Sequence, residues 1–458
     1  MVGFTGISLL IKGTMLLMNL HRILIVVITA LILVTFGCSN EVESKESEVS
    51  SDEIHPTDIS IGSIKPVITD GHGIPYDILL HGGAPHSTSS ILVGDVLGDG
   101  TTQLLVSEPL ASKVVWIRNM EEHMTFTDGL NEPVRAQAVD IDGDLDNDIL
   151  VADIGILLPS NDKSGRVVVL RNNGNFQFEP ITILDGVGRV ACAEGSDLDS
   201  DGDMDISVCV FGNEEGKIIW LEQKENFVFE EHLLDSRPGA IHAFPFDPDS
   251  DGDVDIAVSL SQDSEEIMIF RNDGYGNFEK EVIFKASDTY YGMSGIQLSD
   301  LDRDGDTDIL MTNGDIHDFD LPQKIDPYAY YGVSWFENDG QGKFDNHHEI
   351  TRHWGAYSVR TADLDHDEDL DLVLVGLQMD RYWPEFQRQD MIWLENDGEE
   401  NFTSHNVYLD VPLLIAVEVV DIDNDGIPEI FTGTHDYMGG SAGERLVMFN
   451  IDMSETGE

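Results

Sequence analysis

Cysteine and positive charge are both scarce in this 458-residue chain. Its three cysteines, Cys38, Cys192 and Cys209, are too few for a disulfide-built scaffold. Lys and Arg number 25 against 87 Asp and Glu, a formal charge of −62. That excludes non-specific binding to DNA or RNA, which needs a basic footprint. It also argues against an anionic membrane surface as a direct partner. No HExxH metal motif and no CxxCH haem motif occurs, and no long amphipathic helical pattern interrupts the chain. The apolar share, 41%, is enough for a large core and argues against wholesale disorder.

Acids are absent from the first 40 residues. Lys12 and Arg22 precede an apolar run from Ile23 to Gly37, 15 residues long. That is short for a membrane span and typical of a signal-peptide core, so residues 1–38 are expected to be a signal peptide. The run ends in Val34-Thr35-Phe36-Gly37-Cys38, which resembles the lipobox of bacterial lipoproteins, although Thr35 stands where Leu is usual. The resemblance implies lipidation at Cys38; an ordinary signal peptide or short anchor is the alternative. Residues 39–75 open with the Ser/Glu-rich stretch SNEVESKESEVSSDEIHP and read as a solvated tether and lead-in. Together these place the mature protein outside the cytoplasm, in the cell envelope as an outer-membrane lipoprotein or secreted. Membrane contact is expected only through the N-terminal segment. Cys192 and Cys209 flank an acidic loop at almost equal distances, so two readings are open: a cross-strand disulfide in an oxidising compartment, or two small buried apolar residues.

The acids themselves are concentrated. Six nonapeptides share one pattern, Asp140–Asp148, Asp197–Asp205, Asp247–Asp255, Asp300–Asp308, Asp363–Asp371 and Asp421–Glu429, and a seventh, Asp95–Gln103, is eroded. They recur about every 54 residues and hold 32 of the 87 acids. Each is followed by a short β-branched run such as Ile149-Leu-Val151 or Ile206-Ser-Val208, which reads as a buried strand. A further strand then ends in a turn such as Phe270-Arg-Asn-Asp-Gly274 or Trp335-Phe-Glu-Asn-Asp-Gly340, where Asn-Asp-Gly permits positive φ and a hairpin. A fourth strand is expected from Phe178, Phe229, Phe278, Phe344 and Phe402.

Four-stranded units repeated radially make a β-propeller. Seven loops predict an all-β, seven-bladed propeller over residues 76–452, with a short tail at 453–458. The last unit reaches only its third strand near Arg445–Asn450. The segment Tyr76–His81 sits where fourth strands lie elsewhere, so it is expected to complete blade seven and remove an open sheet edge.

Asp at loop positions one, three and five, with an acid at nine, places four carboxylates around one point. Such hard oxygen ligation selects Ca²⁺, and without a cation the packed like charges repel. About six Ca²⁺ sites are expected, in the loops joining strands one and two of each blade. The nonapeptides resemble the calcium loops of FG-GAP/VCBS-type repeats, as in integrin α propellers. Carried over residue by residue, the resemblance implies as ligands Asp140, Asp142, Asp144 and Asp148; Asp197, Asp199, Asp201 and Asp205; Asp247, Asp249, Asp251 and Asp255; Asp300, Asp302, Asp304 and Asp308; Asp363, Asp365, Asp367 and Asp371; and Asp421, Asp423, Asp425 and Glu429. Loop one departs, with Leu97 in place of a ligand and a neutral Gln103. In loop six Glu368 replaces the usual Gly and is expected to strain the turn.

Strand alternation puts the acidic loops on one face of the disk and the longest insertions on the other. Those insertions span Asp153–Arg166, Asn313–Tyr331, Gln378–Gln389 and Thr434–Glu444, and include Tyr382 and Trp383. The crossings between blades add His86, Arg135, Arg189, His242, Tyr290, Tyr291, Trp354 and Tyr357. This face is the expected ligand site, since functional residues concentrate on loops over a rigid scaffold; inter-blade packing is the alternative for any one residue. The leading expectation is a calcium-stabilised, surface-tethered binding or adhesion module for a glycan or protein. A polysaccharide lyase or hydrolase on the same face, and an envelope scaffold subunit, are the alternatives. No catalytic residue is assigned.

Overall fold

The structure, a computed structural model, describes residues 86–118, 122–174, 177–262, 264–287, 291–315, 331–378, 390–407, 413–436 and 446–449. They form seven four-stranded antiparallel sheets, and this is the seven-bladed propeller expected from the loops. Blade two is representative. Pro133–Val139 is innermost, followed outward by Asp148–Asp153, Gly165–Asn172 and Phe178–Val187. The innermost strands of the other blades begin at Ser90, Val190, Ala240, Met293, Ala356 and Leu413. Each packs against its neighbours in turn, and blade seven packs back on blade one. The one helical element among the described residues is a 3-10 turn at Pro109–Ala111, and no described helix is long and apolar enough to cross a membrane.

The continuous apolar runs are explained by burial on both sides. In the second strand of blade two, Ile149 and Val151 enter the core shared with blade one, while Leu150 and Ala152 enter the core shared with blade three. Seven such inter-blade cores close the ring. Complete burial of each aliphatic side chain contributes about 1.5–3 kcal/mol. The aromatic residues at the fourth strands reach backwards: Phe178 meets Phe126, Phe278 meets Trp220 and Phe344 meets Phe246, each in the preceding blade. Phe344 does so from the turn, because the outer strand of blade five begins only at Asn346. Cys192 and Cys209 are direct register partners in blade three and are bonded, with Cα atoms 4.9 Å apart. Closing a loop of this size contributes about 3 kcal/mol in the chain-entropy account.

The expected clasp at Tyr76–His81 lies outside the described residues. What is described is a shorter N-terminal strand, His86–Ser87, paired with Asp436 and His435 on the second strand of blade seven. It continues the edge that Leu446–Phe449 occupies further along the same strand.

In blades three, four and five a side-chain amide joins the blade to the one before it. Asn338, at the end of the third strand of blade five, donates from Nδ2 to the carbonyl of Thr307 in its own acidic loop (3.1 Å) and to that of Pro248 in the preceding blade's loop (2.7 Å). Its Oδ1 accepts from Gly340 and Gly342 in the hairpin turn. Asn272 bridges Val254 and Leu198 in the same way, and Gln223 bridges Met204 and Ile141. Asn338→Ala is expected to cost about 2–4 kcal/mol in urea unfolding, since it leaves several buried partners unpaired. Asn173→Ala, at an exposed turn position, should change stability by less than about 0.5 kcal/mol; equal losses at the two positions would remove the amide bridge from the account.

Candidate functional site

In each acidic loop the carboxylates are held by backbone N–H groups. The position-one Asp accepts from the residue at position six: Gly202 to Asp197, Gly252 to Asp247, Gly305 to Asp300, Glu368 to Asp363 and Gly426 to Asp421, at 2.9–3.2 Å. The position-five Asp accepts from position seven, as Asp203 to Asp201 and Asp306 to Asp304 at 3.0 Å. These are successive Asx turns, which bend the chain around its own carboxylates.

The bend brings the acids together. Carboxylate oxygens of Asp140, Asp142 and Asp144 lie within 4.8 Å of one another, as do those of Asp247, Asp249 and Asp251, of Asp300, Asp302 and Asp304, and of Asp197, Asp199 and Asp205. Oδ1 of Asp197, Asp247, Asp300 and Asp363 is buried with no hydrogen-bond partner. A buried carboxylate oxygen without a donor is costly, and a divalent cation would supply the missing charge with oxygen-only ligation. The residues present therefore fit a hard cation. In loop two Arg171 pairs with Asp142 at 2.7 Å, so a cation there would share a ligand with a guanidinium.

The position-nine acid has a second task. Asp148, Asp205, Asp308 and Asp371 each accept one N–H from the third strand and one from loop position two. Burial pushes the carboxyls of Asp148 and Asp371 up to about 6 and those of Asp205 and Asp308 up to about 7. Asp255 and Glu429 are raised by the same cause. The position-three acids Asp142, Asp199, Asp302 and Asp365 are raised too, by burial first and then by neighbouring Asp charges.

Loop one is closed by the protein itself. Gln103 Nε2 donates to Asp95 (3.0 Å), Asp99 (3.4 Å) and Thr101 (3.1 Å), and Arg118 pairs with Asp99 at 2.8 Å. Donors thus stand where the other loops gather carboxylates.

Position six needs left-handed backbone. Gly202, Gly252, Gly305 and Gly426 have φ between +91° and +102°. Glu368 holds φ +76° there, as its sequence position suggested, and so does Leu145 at +75°. A Cβ at the four glycines would meet nothing within 4 Å, so conformation alone sets the cost, about 1–2 kcal/mol for an L side chain. Leu145→Gly and Glu368→Gly are each expected to stabilise by about 0.5–1 kcal/mol, after allowing for the greater freedom of glycine in the unfolded chain. Denaturant midpoints at constant slope would check this; a loss at both positions contradicts it.

The opposite face opens into a cavity of 620 Å³ at the centre of the ring, lined from the innermost strands of all seven blades. Among the expected ligand residues, Arg135, Arg189, His242 and Tyr357 line it. His86 is buried and bonded to Thr434, and Trp354 is buried completely. Tyr291 packs against Phe284, and burial raises its hydroxyl to about 12. Tyr290, Tyr382, Trp383 and Cys38 lie outside the described residues. Arg360, Phe211 and Phe244 line the cavity without having been expected. The available signal for Arg360 was a charged residue inside an innermost strand, Ala356–Ala362.

Comparison with known families matches the FG-GAP-like repeat at residues 140–208, 247–311 and 326–374. No curated protein sequence matches the chain. The chain resembles the solved structure of BBS1N in complex with ARL6DN, soaked with mercury, at 10% identity and a TM-score of 0.49, covering 81% of this chain and 95% of that one. The lead-soaked form of that complex gives 9% identity and a TM-score of 0.46 over the same shares. The Dos1 propeller gives 9% and 0.45, covering 79% of this chain and 78% of that one. The seven sheets define a β-propeller, and FG-GAP-like repeats match it over these three stretches. This architecture supports a binding or scaffold module in general.

Proposed function

We propose that this propeller is a calcium-stabilised, extracytoplasmic binding module. It is tethered through its N-terminal segment and takes a glycan or protein ligand at the central cavity opposite the acidic loops. The observation that carries the calcium reading is the set of buried, donorless Oδ1 atoms at Asp197, Asp247, Asp300 and Asp363. The disulfide fits an oxidising compartment. The cavity has the size of a small-ligand site and mixes apolar walls with a few polar groups, the usual composition of such sites.

At about 1 mM free calcium each site would contribute about 0.4–1.4 kcal/mol, given affinities of about 10⁻⁴–10⁻³ M for extracellular modules. Calorimetry in EDTA should therefore show a markedly lower melting temperature, restored by calcium; coincident curves would overturn the calcium reading. The stripped protein has a distinct pH dependence. Its position-nine carboxyls have folded pKa values of about 6 and 7, above the unfolded value, so the native state binds more protons. Stability of the stripped form should rise as pH falls from about 8 to about 5, and the gap to the calcium-loaded form should narrow.

The face assignment is tested by probing glycan and peptide arrays with calcium-loaded protein. Tyr357→Ala should abolish the hits. Tyr275→Ala, at an exposed turn on the acidic-loop side, should leave them. The reverse pattern would move the ligand site to the other face.

A further inference from the structure

Basic side chains are outnumbered by more than three to one in this chain, yet Arg135, Arg189 and Arg360 all line the cavity. Asp315 is the one acid among the described lining residues. Two of the arginines have carboxylate partners that do not line it. Arg135 Nε donates to Glu194, and Arg360 Nε donates to Glu418 at 3.1 Å. The Glu194 and Glu418 side chains are 6% and 11% exposed, against 15% and 17% for the arginines. The carboxylates therefore stand behind and the guanidiniums in front. Arg360 Nη1 donates to the Val359 carbonyl; its Nη2, and both Nη groups of Arg135, have no partner among the described residues.

His242 adds a third donor. Its Nδ1 accepts from the backbone N–H of Ile296 at 3.0 Å, so the ring proton sits on Nε2. The ring occupies space that only Gly295 allows, since a Cβ there would lie 2.6 Å from His242 Cε1. It stacks on Phe244, over which Arg135 also lies. Burial first, then the Arg135 and Arg360 charges, hold the imidazole neutral, so it acts as a donor that adds no charge. Ile154, Leu157, Leu158, Phe211, Leu377 and Ile415 give the wall an apolar share, with Ser, Thr, Asn and Gln side chains set among them.

We propose that the cavity seats one carboxylate carried on an apolar body, its charge answered by the Arg135 and Arg360 guanidiniums and by His242 Nε2–H. This rests on the reading that the cavity is the ligand site, and it names the chemistry that site selects. Guanidinium edges match a planar carboxylate. A neutral apolar ligand would cover these donors without satisfying them. A polyanion would meet the repulsion of the whole acidic molecule. A peptide C-terminus and a branched organic acid share the required chemistry.

Titration calorimetry on the calcium-loaded full chain would use N-acetyl-leucine against its amide, with glucuronate against glucose as a second pair. N-acetyl-leucine is expected to bind at least about tenfold more tightly than the amide, and more tightly than glucuronate, which lacks the apolar body. Equal binding of acid and amide overturns the carboxylate while leaving the cavity as a ligand site; no binding of either overturns the inference. Tighter binding of glucuronate overturns the apolar body. Arg360→Met with Glu418→Leu removes a whole buried pair rather than orphaning one member, and should erase the acid preference without loss of fold by circular dichroism. Arg135→Met with Glu194→Leu is the parallel variant should the first not fold. An acid preference that survives in a folded double variant overturns the site.

Discussion

Asp148, Asp205, Asp308 and Asp371 begin the second strands of their blades and accept backbone N–H groups from both the third strand and the acidic loop. That double attachment is what allows like charges to be gathered at all. Carboxylates close together repel, and a free loop would spread them. Here the loop cannot spread, because one of its own acids is fixed inside the sheet and the others are bent back by Asx turns. Repulsion is held in place by hydrogen bonds, and the resulting cage is what a divalent cation would relieve.

The same attachment organises the ring. Asn338 and its equivalents reach from the end of a third strand into the loop fixed by position nine and on to the loop of the preceding blade. The acidic loops of blades two to five are thus tied to one another as well as being separate cages. On the other face the innermost strands open into the cavity. One face is specialised for order and charge, the other for a pocket with varied walls.

Much of this was legible in the amino-acid order. The nonapeptides repeat often enough to announce the unit, and the short apolar runs after them read correctly as buried strands. Other features were hidden by context. The first Asn of each Asn-Asp-Gly turn reads as a turn former, yet Asn338 also donates to the Pro248 carbonyl, far away in sequence. Leu145 occupies the same left-handed position as Glu368, but an apolar residue in an acidic loop draws less notice. Phe344 marks the outer strand two residues early because it is recruited from the turn to pack on Phe246. Trp354 and His86, expected at the ligand face, are buried in packing instead.

Local order in the chain determined the repeat, the strand pattern and the gathering of acids, because these depend on residues within one loop or one hairpin. Tertiary structure decided which side chains meet across blades. Arg135 finds Glu194, Arg360 finds Glu418, and His242 fits against Gly295 only when consecutive blades pack together. Those contacts join residues more than fifty positions apart, and their spacing is set by how sheets pack around an axis, a quantity that no single repeat contains.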